Sequence, residues 1–194
     1  MRYKRTVLGL FVLLALIQTA VPVWMIVHRE TTLKTGRLFK FRTAPVDPYD
    51  AFRGRYVAIT IENSAAPADG ASVPKPGQKV YVHITEDSEG FAAFDKATVR
   101  RPEGDSYIQT RVNFIINEPS GSKVYFEVPF DRYYMEETAA PAAEDAYRQY
   151  SSLPGRSDAY VTVRVKDGFA VLEELYVGGK PIREFVRERG QGRS

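Results

Sequence analysis

Residues 46–61 read Val-Asp-Pro-Tyr-Asp-Ala-Phe-Arg-Gly-Arg-Tyr-Val-Ala-Ile-Thr-Ile and lead from a turn signal directly into a β-rich segment. Asp47 followed by Pro48 is typical of a capped helical turn, in which the Asp accepts hydrogen bonds from backbone donors and the Pro takes the first position. Gly54 can then reverse the chain into a strand that begins at Tyr56. The stretch therefore predicts a corner that opens a β domain.

Strand signals recur at short intervals through the rest of the chain. Aromatic and β-branched residues are frequent, and many of them alternate with polar residues, as in half-buried strands. The predicted strands are Leu38–Arg42, Tyr56–Glu62, Lys79–Glu86, Phe91–Arg100, Tyr107–Ile116, Lys123–Phe130, Ala159–Lys166 and Phe169–Val177. Asp167 and Gly168 form a turn of the kind that favours a hairpin. One short helix is predicted at 141–150, where Pro lies near the first turn and acidic residues follow it.

This pattern predicts a mainly β fold with an N-terminal transmembrane helix. The expected architecture is an antiparallel β-sandwich or a partly open barrel plus one short helix. We divide the chain into a membrane anchor at 1–30, a β-rich domain at 31–182 and a flexible tail at 183–194. Within the domain, the Pro- and Gly-rich segment 63–78 has no periodicity and predicts a mobile surface loop.

The segment from Val7 to Val27 carries no charged side chain. At about 1.5 Å per residue it is long enough to cross the roughly 30 Å hydrocarbon core of a bilayer. A cleaved signal peptide is the alternative. The apolar region of a signal peptide is only about 7 to 15 residues long, which is shorter than this run. Cleavage after Ala20 would also need a small residue at position 18, where this chain has the bulky Gln18. Trp24 suits the aromatic belt at a membrane boundary. We therefore expect an uncleaved single-pass anchor.

The orientation of this anchor follows from what lies on either side of it. Basic residues occur on both sides of the apolar run, but long C-terminal domains are translocated largely regardless of such charge. We expect the N-terminus in the cytoplasm and everything after about residue 30 outside.

The composition excludes several classes of function. The net charge of +3 resides at Arg2, Lys4 and Arg5, so the rest of the chain is neutral and lacks the basic surface that nucleic-acid binding requires. The chain has no cysteine, which removes disulfides, thiolate metal sites and cysteine nucleophiles. We expect no nucleic-acid partner and no cofactor.

Few side chains offer catalytic or metal-binding chemistry. The two histidines are His28, beside the apolar segment, and His83, inside a predicted strand, so we expect no metal site. The serines lie in predicted loops without a nucleophile elbow. The carboxylates of Asp47, Asp50 and Glu137 are the remaining candidates for acid–base work, which needs two carboxyl groups facing one cavity. We assign no catalytic residue.

Arg53, Arg55 and Arg132 leave two interpretations open. Such charges usually form a solvated surface, but an Arg beside an Asp-rich turn can also form a bidentate lock between two loops.

The 46–61 stretch resembles the motif of the GDYXXLXY protein family, whose members are bacterial membrane-anchored proteins that typically read D-P-x-D-x-x-x-G-D-Y-x-x-L-x-Y. The residues that match are Asp47, Pro48, Asp50, Gly54 and Tyr56. Ile59 stands in place of the family's Leu, Arg55 in place of Asp, and Ile61 in place of the last Tyr.

A second resemblance lies at 131–137, which is similar to the family's R-Y-F-V-P-E stretch. Arg132, Tyr133 and Glu137 match, and Glu136 replaces the Pro. If this stretch meets residues 47–56 in space, we expect an Asp/Arg/Glu cluster with Arg132 at its centre.

The resemblance has no established activity attached to it, but it implies a location and a partner. Family members tend to be encoded beside multi-span membrane proteins, which implies a partner in the bilayer of the bacterial cytoplasmic (inner) membrane. We therefore expect an extracytoplasmic binding or accessory module, in contact with lipid and with a multi-span membrane protein. The alternative is an envelope hydrolase that uses Asp47, Asp50 or Glu137.

Overall fold

A computed structural model describes residues 2–44, 56–69, 73–119, 121–151 and 158–191. The helices in these ranges are α1 (Arg2–Thr35), α2 (Ala140–Ser151) and α3 (Ile182–Gln191). The strands are β1 (Arg37–Ala44), β2 (Tyr56–Ala58), β3 (Thr60–Ile61), β4 (Ala65–Pro67), β5 (Lys79–Glu86), β6 (Ala92–Thr98), β7 (Tyr107–Glu118), β8 (Gly121–Phe126), β9 (Arg132–Tyr134), β10 (Ala159–Lys166), β11 (Phe169–Val177) and β12 (Lys180–Pro181). The mainly β fold with an N-terminal apolar helix is confirmed.

One antiparallel sheet has the strand order β12-β11-β10-β1-β3. Its β10–β11 hairpin turns at Asp167 and Gly168, whose φ angles of 52° and 81° are both positive, as a two-residue hairpin loop of this type requires. The alternation of β1 buries Phe39 and Phe41 and leaves Lys40 exposed. The sequence pattern thus set the pairing and the buried face of this sheet.

The second five-stranded sheet is nearly closed into a barrel. Its strand order is β4-β8-β7-β5-β6, with antiparallel neighbours, and a bridge between Ala68 and Ala97 brings β6 back beside the β4 segment. The two sheets pack through aromatic side chains. The Phe41 ring lies 5.2 Å, centroid to centroid, from both Phe94 and Phe130, and it joins the two layers into one core.

The predicted flexible tail is wrong for residues 183–191, which belong to α3. Ile182 is fully buried, and the Phe185 ring lies 5.4 Å from Tyr150 of α2 in an edge-on contact. Ile182, Phe185 and Val186 follow the i, i+3, i+4 spacing of an amphipathic helix, so burial of this apolar stripe holds the segment in place.

The predicted mobile loop at 63–78 is wrong for the part that forms β4. Ala65–Pro67 pairs with β8, and Ala66 is fully buried. The backbone N–H of Gly77 donates to the carbonyl of Val112 and ties the end of the segment to β7. The small side chain of Ala66 permits this close packing. The segment has no hydrophobic periodicity, so its sequence did not indicate a strand.

The helix α1 is longer than the predicted Val7–Val27 span and does not end at residue 30. Its stretch Thr6–Thr35 has the length and the mean hydropathy, 2.4 in its most apolar window, of a helix that could cross a membrane. The large apolar side chains from Val7 to Val27 are exposed. The part beyond His28 packs on the β domain, so the boundary between the exposed apolar segment and the domain lies inside the helix.

Candidate functional site

The junction between α1 and the β domain is a single residue, Gly36. Its N–H donates to the carbonyl of Thr32, and a Cβ added to Gly36 would lie only 2.5 Å from that carbonyl oxygen and 3.0 Å from the carbonyl oxygen of Val165. Thr32 is itself fully buried. The helix therefore enters the sheet through a close backbone contact, with no room for a side chain.

Further contacts fix the last two turns of α1 to the β10–β11 hairpin. The His28 ring lies 4.6 Å from the Phe169 ring and stacks on Trp24 at 5.3 Å. The Lys166 ammonium donates to the hydroxyl of Thr35 at 2.7 Å. Helix and sheet are thus joined by an aromatic cluster as well as by backbone packing.

The tip of the β10–β11 hairpin is wedged between α1 and β7. The Gly168 carbonyl accepts a hydrogen bond from the N–H of Gln109 at 2.8 Å. A Cβ at Gly168 would lie 2.7 Å from the Tyr107 ring, which is almost fully buried. This tip therefore connects α1 to both five-stranded sheets.

The two stretches that resemble the family meet in space at their described ends. Strands β2 and β9 form a two-stranded antiparallel sheet in which Tyr56 pairs with Tyr134 and Val57 with Tyr133. The Arg132 guanidinium lies over the Tyr56 ring, 5.2 Å from its centroid, and a hydrogen bond to Tyr134 keeps the pKa of Arg132 above its ordinary value. Such a cation–π contact holds the guanidinium at the surface of this small sheet.

Tyr133 anchors this small sheet to the main one. Its hydroxyl donates to Glu174 Oε1 at 2.5 Å, next to the irregularity in the β10–β11 pairing. Burial, together with the Glu174 carboxylate, raises the pKa of the Tyr133 phenol, which therefore stays a donor at neutral pH. The Arg183 guanidinium of α3 lies over the Tyr133 ring, 5.5 Å from its centroid.

A cavity of about 290 Å³ lies where α1, β9 and β11 come together. Arg29 of α1 lines it together with Asp131, Arg132 and Tyr134 from the second family stretch and Phe169 from the hairpin. Arg132 Nε and Asp131 Oδ1 are 3.7 Å apart, which is too long for a hydrogen bond. The lining thus presents two guanidinium groups and one carboxylate, and we take this cavity as the candidate site.

The structure tests only part of the predicted residue set. Asp47, Pro48, Asp50, Arg53, Gly54 and Arg55 lie outside the described residues. The predicted Asp/Arg/Glu cluster around Arg132 therefore stays a prediction. Glu137 is exposed in the turn before α2 and does not line the cavity.

Sequence reasoning missed Arg29, Tyr134 and Glu174 as parts of this arrangement. The position of Arg29 could have indicated its role, because Arg29 is the first permanently charged residue after the apolar run. Glu174 has none, because the irregularity that turns it toward Tyr133 depends on the pairing of two distant strands.

A metal centre is not evident in the part of the chain that the structure describes. Within those residues, no group of three or more His, Asp or Glu side chains could hold an ion. Of the two histidines, His28 is occupied by its ring contacts, and burial lowers the pKa of His83.

The fold and the site together define a class of protein: a β domain built without a linker onto a helix that is long and apolar enough to cross a membrane. The chain belongs to the GDYXXLXY family, since the family model described as GDYXXLXY protein matches residues 18–175. The match spans most of the chain, includes both motif stretches and confirms the family that they resemble. Comparison with curated proteins and with solved structures gave no match.

Proposed function

We propose that this protein is a membrane-anchored, extracytoplasmic binding and accessory module of the bacterial cell envelope that acts with a multi-span membrane protein. One observation carries the proposal. Gly36 alone separates α1 from β1, and the last turns of α1 pack on the sheet. A domain joined in this way is held at the membrane surface in one orientation, as is expected of a module that works on a partner in the same bilayer.

The exposed surface of α1 supports a partner within the membrane. Large apolar side chains around the helix are exposed, including Leu10, Phe11, Leu14 and Ile17, and the β domain covers none of them. One side of the helix can therefore contact lipid while the other packs against a helix of another protein.

The cell-envelope location rests on the orientation of the anchor. We propose that α1 is retained as a signal anchor, with its N-terminus in the cytoplasm of the cell and the β domain outside the cytoplasmic (inner) membrane, because long C-terminal domains translocate largely regardless of flanking charge. A reporter that is active only in the cytoplasm can be fused after Ser194. Activity of this fusion would contradict the proposed orientation.

Site-specific crosslinking in intact membranes tests the partner. A photoreactive amino acid is placed in turn at each position from Leu10 to Ile17 of the full chain, and irradiated membranes are examined for adducts. We expect adducts with one multi-span protein that recur at helical spacing, because one face of α1 meets the partner. The same probe at Glu118, at the far end of β7, is the control and should give no such adduct.

Two results would contradict the proposal. One is the absence of a protein adduct at all eight helix positions. The other is equal labelling around the helix by many unrelated proteins, which is the result for a helix surrounded by lipid alone.

A further inference from the structure

The cavity beside Arg29 has a position relative to the membrane that the sequence determines. Val27 ends the uncharged run of α1, and Arg29 follows two residues later. A bilayer is about 40 to 45 Å thick and its hydrocarbon core roughly 30 Å, so each headgroup layer is roughly 5 to 8 Å thick. Two residues of α-helix rise only about 3 Å. When α1 spans the bilayer, Arg29 lies in the headgroup layer, and so does the wall of the cavity that it forms.

Aromatic residues beside the cavity agree with this depth. Trp24 lies about one turn before Arg29 and is exposed, where an aromatic belt is expected. Phe169 lines the cavity, contacts His28 and keeps 42% of its surface exposed. An exposed Phe beside two Arg side chains suits the boundary between polar headgroups and acyl chains.

The charge of the cavity is not balanced within the described residues. Arg29 has no ion pair and no side-chain hydrogen bond among them, and it lies one turn before the buried Thr32, on the face of α1 that meets the domain. Arg132 contacts the Tyr56 ring and bonds Tyr134, but both partners are uncharged, and its one carboxylate neighbour among the described residues, Asp131, is 3.7 Å away. The two guanidinium groups and one carboxylate leave an excess of one positive charge.

We propose that this cavity binds the headgroup of an anionic phospholipid, with Arg29 and Arg132 holding its phosphodiester. Guanidinium groups bind phosphate oxygens through paired hydrogen bonds, and basic pockets beside membrane helices take anionic headgroups. The volume of about 290 Å³ is at the lower limit of ligand pockets, which suits a headgroup whose acyl chains stay in the bilayer. The inference rests on the membrane-spanning α1 of the proposed function and is independent of a protein partner.

The test uses the full chain, purified in mild detergent and mixed with phosphatidylglycerol or phosphatidylcholine, and native mass spectrometry counts the lipids that it retains. We expect one tightly held phosphatidylglycerol and much weaker retention of phosphatidylcholine. Arg29→Gln and Arg132→Gln should each lower the apparent affinity for phosphatidylglycerol roughly tenfold or more, the effect of losing a charge-assisted hydrogen bond.

Two further variants separate the cavity from general charge. Lys34→Gln removes a positive charge from the same helix outside the cavity and should retain the lipid as the unmodified chain does. Arg29→Lys keeps the charge but not the paired donors, so we expect its affinity to lie between those of the unmodified chain and Arg29→Gln.

Three outcomes would overturn the inference: equal retention of both lipids, equal retention by Arg29→Gln and Lys34→Gln, or displacement of the lipid by millimolar inorganic phosphate, which would make a free phosphate the ligand. Failure of the proposed function looks different. If alkaline carbonate extracts the chain from membranes, the chain has no membrane anchor. If the crosslinking gives no protein adduct, the chain still retains phosphatidylglycerol in the lipid-binding test.

Discussion

Tyr133 and Glu174 are joined by a hydrogen bond of 2.5 Å from the phenol hydroxyl to Oε1, although 41 residues separate them in the chain. Glu174 Oε1 also accepts from the N–H of Leu175. One carboxylate oxygen thus holds both the second family stretch, through β9, and the irregular part of β11. Since β9 and β11 both line the cavity, this contact sets the shape of the candidate site.

Tyr133→Phe should destabilise the protein by about 1–2 kcal/mol, because a hydrogen bond to a charged group is lost while Glu174 stays partly open to water. Thermal unfolding of the full chain in detergent measures this as a lowered midpoint. Tyr125→Phe is the matched control, since the Tyr125 hydroxyl has no hydrogen bond among the described residues and its ring stacks on Phe114. Equal midpoints for the two variants would show that the Tyr133–Glu174 hydrogen bond does not stabilise the fold.

The same pair predicts a dependence of stability on pH. Burial and the Glu174 carboxylate raise the pKa of Tyr133 in the folded state, so the unfolded chain ionises first. The stability that this hydrogen bond contributes is fully present below about pH 10, the ordinary pKa of Tyr, and is lost as the pH rises through the raised pKa of Tyr133 in the folded state. The difference in midpoint between the unmodified chain and Tyr133→Phe should therefore be constant from neutral pH to about pH 9 and narrow above pH 10.

Gly36→Ala should cost about 1–3 kcal/mol, since the new methyl group meets two backbone carbonyl oxygens that cannot move independently. Gly190→Ala is the control. Nothing lies within 4 Å of a Cβ at Gly190, and Ala is the better helix former, so this change should be neutral or slightly stabilising. If both variants unfold at the temperature of the unmodified chain, helix and sheet are not in close backbone contact.

Ile182→Ala should destabilise the domain by about 2–5 kcal/mol, because Ile182 is fully buried where α3 begins. Glu184→Ala, on the exposed side of the same helix, should change stability by less than about 0.5 kcal/mol. Denaturant unfolding of the two variants compares them directly. A frayed C-terminal segment would make them equal.

Regular elements with strong local signals could be predicted from the sequence, and elements held by distant contacts could not. Ala159–Lys166 and Phe169–Val177 were predicted with their observed bounds, because the alternation and the Asp167–Gly168 turn are both local. Strand β9 has three residues and no period of its own, and it exists because it pairs with β2.

Charged residues made α3 and the C-terminal end of α1 difficult to predict from the sequence. The apolar spacing of α3 is present in the sequence, but the Arg and Glu residues around it give the composition of a solvated tail. Likewise α1 continues past Val27 through charged residues because Thr32 and Gly36 pack on the sheet, which no hydropathy pattern reveals. The cavity needs α1, β9 and β11 together, so only Arg29 and Arg132 could have been suspected beforehand.

If α1 spans the bilayer as proposed, it holds the β10–β11 hairpin against the bilayer surface. The chain has no cysteine, so single spin labels can be placed at Phe169→Cys and, as an aqueous control, at Glu118→Cys. Gln109, which bonds the hairpin tip, lies nine residue steps along β7 from Glu118, which is roughly 30 Å at about 3.3 Å per step.

Depth measurement by oxygen and nickel-chelate relaxation in lipid nanodiscs compares these two labels. We expect the label at 169 to lie in the headgroup layer and the label at 118 in bulk water. A label at 169 as accessible to the nickel chelate as the label at 118 would contradict this expectation.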